Sequence, residues 1–207
     1  TIGMFKSSGY VIVNNPEKAD VIVVNTCGFI ESAKEEAINT ILEMAEYKKK
    51  NCKYLIVMGC LVERYKEDLE KALPEVDLYI KYSEYNLLWK KIESLFYEKE
   101  NNSKINNNLE NNNKEDRKSD ETKYDNFWEV EERVISTGEN FAYLKIADGC
   151  SNRCTYCAIP YIRGPQISRK IENIIKEANK LAEEGYKELI VIAQDTTKYG
   201  IDIYGKS

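Results

Sequence analysis

Three thiols fall within one short stretch, Gly149 to Pro160 (GCSNRCTYCAIP), where Cys150, Cys154 and Cys157 form a C-x3-C-x2-C array. Thiolates are the protein ligands of iron–sulfur clusters, and a loop this tight can wrap three of them around one small inorganic core. Three ligands on a four-iron cluster leave one iron open, which makes a binding position rather than a structural staple. The competing use of the array is a zinc knob, which needs a fourth ligand from elsewhere. The chain has no His, so that ligand would be another Cys or a carboxylate. The missing His also removes the commonest general base near neutral pH, which argues against His-driven hydrolysis.

Two more Cys are placed alike by the elements that precede them. Ala19 to Cys27 (ADVIVVNTC) carries a four-residue β-branched run of the kind buried in a parallel sheet, and Cys27 follows it at once. A second buried strand, KYLIVMGC, ends at Cys60. Between them Glu31 to Lys50 reads as a helix with Ala33, Ala37, Ile38, Ile41, Leu42 and Ala45 on one face, its acidic start and KKK end complementing the dipole. A helix from Leu61 to about Leu73, a strand in VDLYI and a helix from Glu84 to Tyr97 follow. Tyr10 to Val13 is a further strand candidate, and TIGMFKSSGY reads as the last turns of a helix closing at Gly9, so more chain is expected before Thr1. Strand alternating with helix means a doubly wound parallel α/β sheet, whose functional groups collect beyond the carboxyl ends of the strands. Cys27 and Cys60 both lie at that edge and could meet on one metal. Cys52 precedes its strand, at the opposite edge, and reads as a small buried core residue.

Residues 98–126 change character: nine Asn, eight acidic and six basic residues leave Ile105, Leu109 and Tyr124 as the apolar ones. Such a stretch cannot bury enough surface to offset its ordering entropy, and it reads as a disordered linker between a first domain (1–97) and a second (127–207). In the second, EVEERVI is an edge strand or lead-in, and FAYLKIADGC is a strand running into the Cys loop. Arg169 to Glu184 is a helix with Ile171, Ile174, Ile175, Ala178, Leu181 and Ala182 on one face, and ELIVIA is a strand emptying into QDTTKYG. The Cys loop and the QDTT loop then share the carboxyl ends of adjacent strands, the active-site face of a β/α barrel. Phe141 to Ser207 is short for a barrel, so further strands are expected beyond it.

The net charge of −5 gives no basic field for a polyanion, which argues against direct nucleic-acid binding by this chain. The longest apolar runs are far too short to span a membrane. Six Cys without a secretory leader fit a reducing cytoplasm.

Four stretches in order, NTCGFIESAKEE (Asn25 to Glu36), GCLVERY (Gly59 to Tyr65), YLKIADGCSNRCTYCAIPYIRG (Tyr143 to Gly164) and IAQDTTKYGID (Ile192 to Asp202), resemble the radical S-adenosylmethionine (SAM) methylthiotransferases, specifically the RimO type that modifies a ribosomal protein. The resemblance implies a methylthiotransferase domain (1–97), the first β-α-β portion of a radical SAM partial barrel (127–207), and no TRAM domain within this stretch of chain. It implies two 4Fe-4S clusters. Cys150, Cys154 and Cys157 would hold the one that chelates and cleaves SAM, with Tyr156 against the adenine. Cys27 and Cys60 would supply two of the three ligands of an auxiliary cluster that handles sulfur. Gln194 and Asp195 occupy the loop where the superfamily often carries a Gly-Gly-Glu-like motif near the SAM amino group, a triplet this chain lacks. Arg163 and Arg169 could pair with a carboxylate, while at least one of them is expected to be a solvated surface charge. The implied substrate is the β-carbon of an Asp in small-subunit ribosomal protein twelve, with flavodoxin or ferredoxin as electron donor. The QDTTKYG and NTCGFIESA stretches favour this over methylthiolation of tRNA adenosine; a non-catalytic zinc module is the remaining alternative.

Overall fold

A computed structural model describes residues 2–105, 133–135, 138 and 140–205. They fall into two compact units, 13–127 and 1–12 with 128–207.

The chain begins with helix α1 (Ile2–Ser7), which belongs to the second of these units and closes at Gly9 with φ +84°. The expected strand at Tyr10 to Val13 is not formed. These residues are exposed, Val11 to 85%, and take no part in the sheet. Their β-branched run lacks a neighbour to pair with, and propensity alone does not make a strand.

The first unit is a three-stranded parallel sheet in the order β1 (Val21–Thr26), β2 (Tyr54–Gly59), β3 (Leu78–Lys81). Helix α2 (Glu31–Ala45) links β1 to β2, and α3 (Cys60–Ala72) links β2 to β3. Side chains alternate across a pleated strand. Ile22, Val24, Leu55, Val57 and Tyr79 therefore share one face, where Ala37 and Ile41 of α2 and Leu61, Val62 and Leu69 of α3 complete a core. Ile56, Met58 and Ile80 turn to the opposite face and are also fully buried. Helix α4 (Leu88–Ile105) covers that side, its Phe96 ring meeting Tyr54 at 4.7 Å. Helices thus lie on both faces, which is why β2 reads as an unbroken apolar run. The apolar stripe of α2 is narrower than its sequence predicts, since Ile38 and Leu42 are exposed. α4 also continues through 98–105, into the stretch read as linker; 106–126 lie outside the described residues.

In the second unit β4 (Phe141–Lys145) pairs in parallel with β7 (Glu188–Ile192), joined by α6 (Ile171–Glu183). The strand expected to run straight from Phe141 into the Cys loop is broken at Ile146. Beyond it β5 (Ala147–Asp148) leaves that sheet and pairs antiparallel with β6 (Ile167–Ser168). Between β5 and β6 lies the short helix α5 (Ile159–Ile162), and after β7 comes α7 (Ile201–Tyr204). Ile146 bridges the two sheets, donating from its N–H to Ile192 O (3.0 Å) and accepting from Arg169 N–H (2.9 Å). Of the EVEERVI segment, 133–135 form no strand and 129–132 lie outside the described residues.

Candidate metal centres

At the carboxyl edge of the first unit, register sets the two cysteines just beyond neighbouring strand ends. Thr26 is the register partner of Gly59, so Cys27 and Cys60 are the next residues of two neighbouring parallel strands. Cys60 starts α3 with no intervening loop, a junction that only Gly59 permits: its φ is +115°, and a Cβ there would lie 2.4 Å from Thr26 O. A Cβ on Gly28 would sit 2.8 Å from Cys60 O and from Leu61 Cα, so the backbone after Cys27 rests directly on the start of α3. Arg64 locks the approach. Its Nη1 donates to Gly28 O (3.0 Å) while the guanidinium lies over Tyr65, 5.1 Å from the ring centre. Cys27 is exposed and Cys60 buried. Cys52 lies in the core, donating from Sγ to Tyr54 O (3.3 Å), and burial pushes its thiol pKa up.

In the second unit the thiol loop is an excursion clamped by the β5–β6 ladder. At its neck Gly149 (φ +70°) crosses so close to the returning chain that a Cβ would fall 2.1 Å from Pro165 O. Cys150 N–H donates to Gly164 O (3.1 Å), Gln166 N–H to Ser151 Oγ (3.1 Å), and Cys157 N–H to Cys154 O (3.0 Å). Cys150 is buried, Cys157 half-buried and Cys154 exposed. The loop gathers the three residues; among the described residues no group of three or more His, Cys, Asp or Glu is placed to hold a metal. Tyr156 is 91% exposed and covers nothing.

Asp148, which the motif did not single out, anchors the neck. Its Oδ1 accepts from Gly149 N–H (2.9 Å) and Arg163 Nη1 (3.2 Å), and its Oδ2 from Lys145 Nζ (2.7 Å). Burial pushes its carboxyl pKa up, against the opposing pull of Arg163, the Gly149 N–H and a hydrogen bond with Gln194. Arg169, 5% exposed, donates to Lys145 O (2.7 Å) and Glu177 Oε2 (2.6 Å). Neither arginine is the solvated surface charge expected of at least one of them, because each is drawn in by a carboxylate of its own fold. Gln166, 8% exposed, and Gln194 hold buried amide atoms with no partner among the described residues: both heteroatoms of Gln166, and Oε1 of Gln194. A buried amide without a partner is costly, and Gln166 stands at the loop, where its N–H meets Ser151 Oγ. Asp195 caps a 3-10 turn (Thr196–Lys198) and bonds to Asn152 of the thiol loop. Asn152, Ser151 and Gln166 carry no sequence signal, because ordinary polar residues acquire a role here only through tertiary return: Ser151 and Gln166 meet beside the β5–β6 ladder, and Asn152 meets the turn after β7.

Residues 1–81 match the model of uncharacterized protein family UPF0004, and 144–206 match the radical SAM superfamily. The chain is 58% identical over 206 residues to the ribosomal protein uS12 methylthiotransferase RimO of Alkaliphilus oremlandii, covering 100% of this chain and 42% of that protein. Over both of its units the chain is similar to radical SAM methylthiotransferases. Its similarity to the proteins of the same name from Acetivibrio thermocellus (52% identity; 99% of this chain, 43% of that protein) and Clostridium tetani (48%; 99% and 42%) extends over both units. The chain thus spans about two-fifths of the length of these methylthiotransferase relatives. No helix among the described residues is long and apolar enough to cross a membrane.

Proposed function

We propose that the protein to which this chain belongs uses radical SAM chemistry to place a methylthio group on the β-carbon of an Asp in ribosomal protein uS12. The observation that carries this reading is identity of 48–58% across both thiol regions to relatives named for that reaction. The donor set fits. Cys150, Cys154 and Cys157 would hold a 4Fe-4S cluster with one open iron, and Cys27 and Cys60 would contribute to a second. When bound, these groups supply the electron that cleaves SAM and the sulfur that is transferred, chemistry no side chain here could provide.

This chain's own part is to bind and to position. Asp148 fixes the neck of the thiol loop, and Gly149 lets Pro165 close against it. Gln166 and Gln194 offer buried amides beside it, the kind of donor and acceptor that the polar groups of SAM would satisfy. Register, Gly28 and Gly59 set Cys27 next to Cys60. A flavodoxin or ferredoxin as electron donor, two clusters and a cytoplasmic location belong to the same proposal. Boundaries at 1–97 and 127–207, with a linker between, are its domain plan.

The test is a gene deletion complemented by wild type or by Cys154→Ala, followed by mass spectrometry of uS12 and of tRNA. Methylthio-Asp should be present with the wild-type gene and absent with the variant and the deletion. Loss of methylthio-adenosine from tRNA with uS12 unchanged would replace this substrate by the tRNA one. Purified protein holding stoichiometric zinc and no sulfide would sink the enzyme reading altogether.

A further inference from the structure

Both carboxylate oxygens of Asp195 are already committed within the protein. Oδ1 accepts from the N–H (3.0 Å) and Oγ1 (2.6 Å) of Thr197, and Oδ2 accepts from Asn152 Nδ2 (2.8 Å). Asn152 Oδ1 in turn accepts from Lys198 Nζ. These bonds, Thr197 first and Asn152 next, hold the Asp195 carboxyl below the usual carboxylate range. The result is a closed polar ring that joins the turn after β7 to the middle of the thiol loop, between Cys150 and Cys154. On its other flank Ser151 grips the chain at Gln166, and Arg153 between Asn152 and Cys154 takes a left-handed φ of +50°. A non-Gly residue there is uncommon and persists where its surroundings hold it.

We propose that Asp195 is a positioning residue that braces the thiol loop through Asn152 and makes no contact with SAM or substrate. The inference rests on the radical SAM reading of this loop for its purpose, though not for its geometry. An Asp at this place in the superfamily's usual motif position would be expected to face the cofactor; here both of its oxygens already accept hydrogen bonds from Thr197 and Asn152.

The ring makes an exchange experiment possible. Asn152→Asp sets two carboxylates against each other, and Asp195→Asn sets two amides together. The double variant Asp195→Asn with Asn152→Asp rebuilds the ring with the 195–152 bond alone reversed: the amide introduced at position 195 would donate to the carboxylate introduced at position 152, while position 195 still accepts from Thr197 and position 152 from Lys198. Two readouts are taken on the whole 207-residue chain: hydrogen exchange of amides 150–157 without iron, and iron loss to a chelator after anaerobic reconstitution. Each single variant should exchange and lose iron about fivefold faster, the scale of one hydrogen bond, at an unchanged melting temperature. The double variant should return both to wild-type values. If Asp195→Asn and the double variant are equally impaired in iron retention while exchange is normal in both, Asp195 acts on the cofactor directly and the brace is wrong. If wild type takes up no iron, the cluster reading fails, and exchange alone still decides the brace.

Discussion

The two thiol regions are built by opposite means. Cys27 and Cys60 are fixed by backbone: neighbouring strands in register, a helix starting without a loop, and Gly28 lying on Cys60. Their spacing is inherited from a core that includes Leu55, Val57, Leu61 and Val62, each no more than 2% exposed. Cys150, Cys154 and Cys157 ride instead on a loop that a two-residue backbone ladder clamps at its neck and side chains hold beyond it, with Asp148 at the neck, Ser151 on one flank and the Asn152–Asp195 ring on the other. Moving a thiol in the first region means disturbing a sheet. In the second it means breaking one or two hydrogen bonds, each worth about 1 kcal/mol.

The largest expected effect sets glycine against glycine. An added Cβ clashes at both sites, 2.4 Å from Thr26 O at Gly59 and 2.1 Å from Pro165 O at Gly149, and both have positive φ. At Gly59 the obstacle is the neighbouring strand of a buried sheet, so Gly59→Ala should cost roughly 3 kcal/mol or more and lower the melting transition of the first unit sharply. At Gly149 the obstacle is the returning chain at Gly164 and Pro165, which only the two-residue β5–β6 ladder pairs with it. Gly149→Ala should leave the melting temperature much less affected while accelerating hydrogen exchange at 150–157. Equal melting losses, read by calorimetry, would erase the distinction between the two regions.

This contrast also explains what the sequence revealed. β1 and β2 were legible because full burial leaves continuous apolar runs, and with them the shared edge of Cys27 and Cys60. The C-x3-C-x2-C array was legible because thiols at such spacing have few other uses. What could not be read were contacts that depend on tertiary return: the break at Ile146, the two-residue β5–β6 ladder, and the partners of Asp148 and Asn152. Asp195 was read as a residue near the cofactor, and the structure engages its oxygens with Thr197 and Asn152; which role it serves is what the exchange experiment tests. Tyr10 to Val13 failed for the converse reason, since a strand-like run of residues forms no strand without a partner.

A smaller effect probes the scaffold beneath the Cys60 edge. Tyr79 OH lies 2.9 Å from Leu73 O and 3.1 Å from Leu69 O, tying β3 to the end of the helix that Cys60 begins. Tyr79→Phe should cost about 1 kcal/mol. Burial pushes the Tyr79 pKa up to about 12, whereas a tyrosine in the unfolded chain titrates near about 10. Its contribution is thus fully present below about pH 10, because both states keep the proton there. Above that the unfolded chain sheds the proton first, and stability falls as pH rises toward 12. Denaturant titrations from about pH 9 upward should show this alkaline loss in wild type and a reduced one in the Phe variant. An identical slope in both would mean that Tyr79 is not what the core protects.

The smallest effect concerns Cys52, at the edge of the sheet away from Cys27 and Cys60. Its thiol is buried among the residues of the first core, is 5% exposed, and has its pKa raised by desolvation. A buried, protonated thiol is a poor nucleophile and a poor metal ligand. Cys52→Ser preserves a donor for Tyr54 O and should change stability by less than about 1 kcal/mol, with no change in iron bound after reconstitution. In the iron-free native chain, brief alkylation near neutral pH should label Cys27 and Cys154, both exposed, and spare Cys52. Iron loss in Cys52→Ser with none in Cys60→Ser would place the metal at the wrong end of the sheet. The argument that parallel register delivers Cys27 and Cys60 to a common site would then fail, because that register is the feature that puts Cys52 beyond their reach.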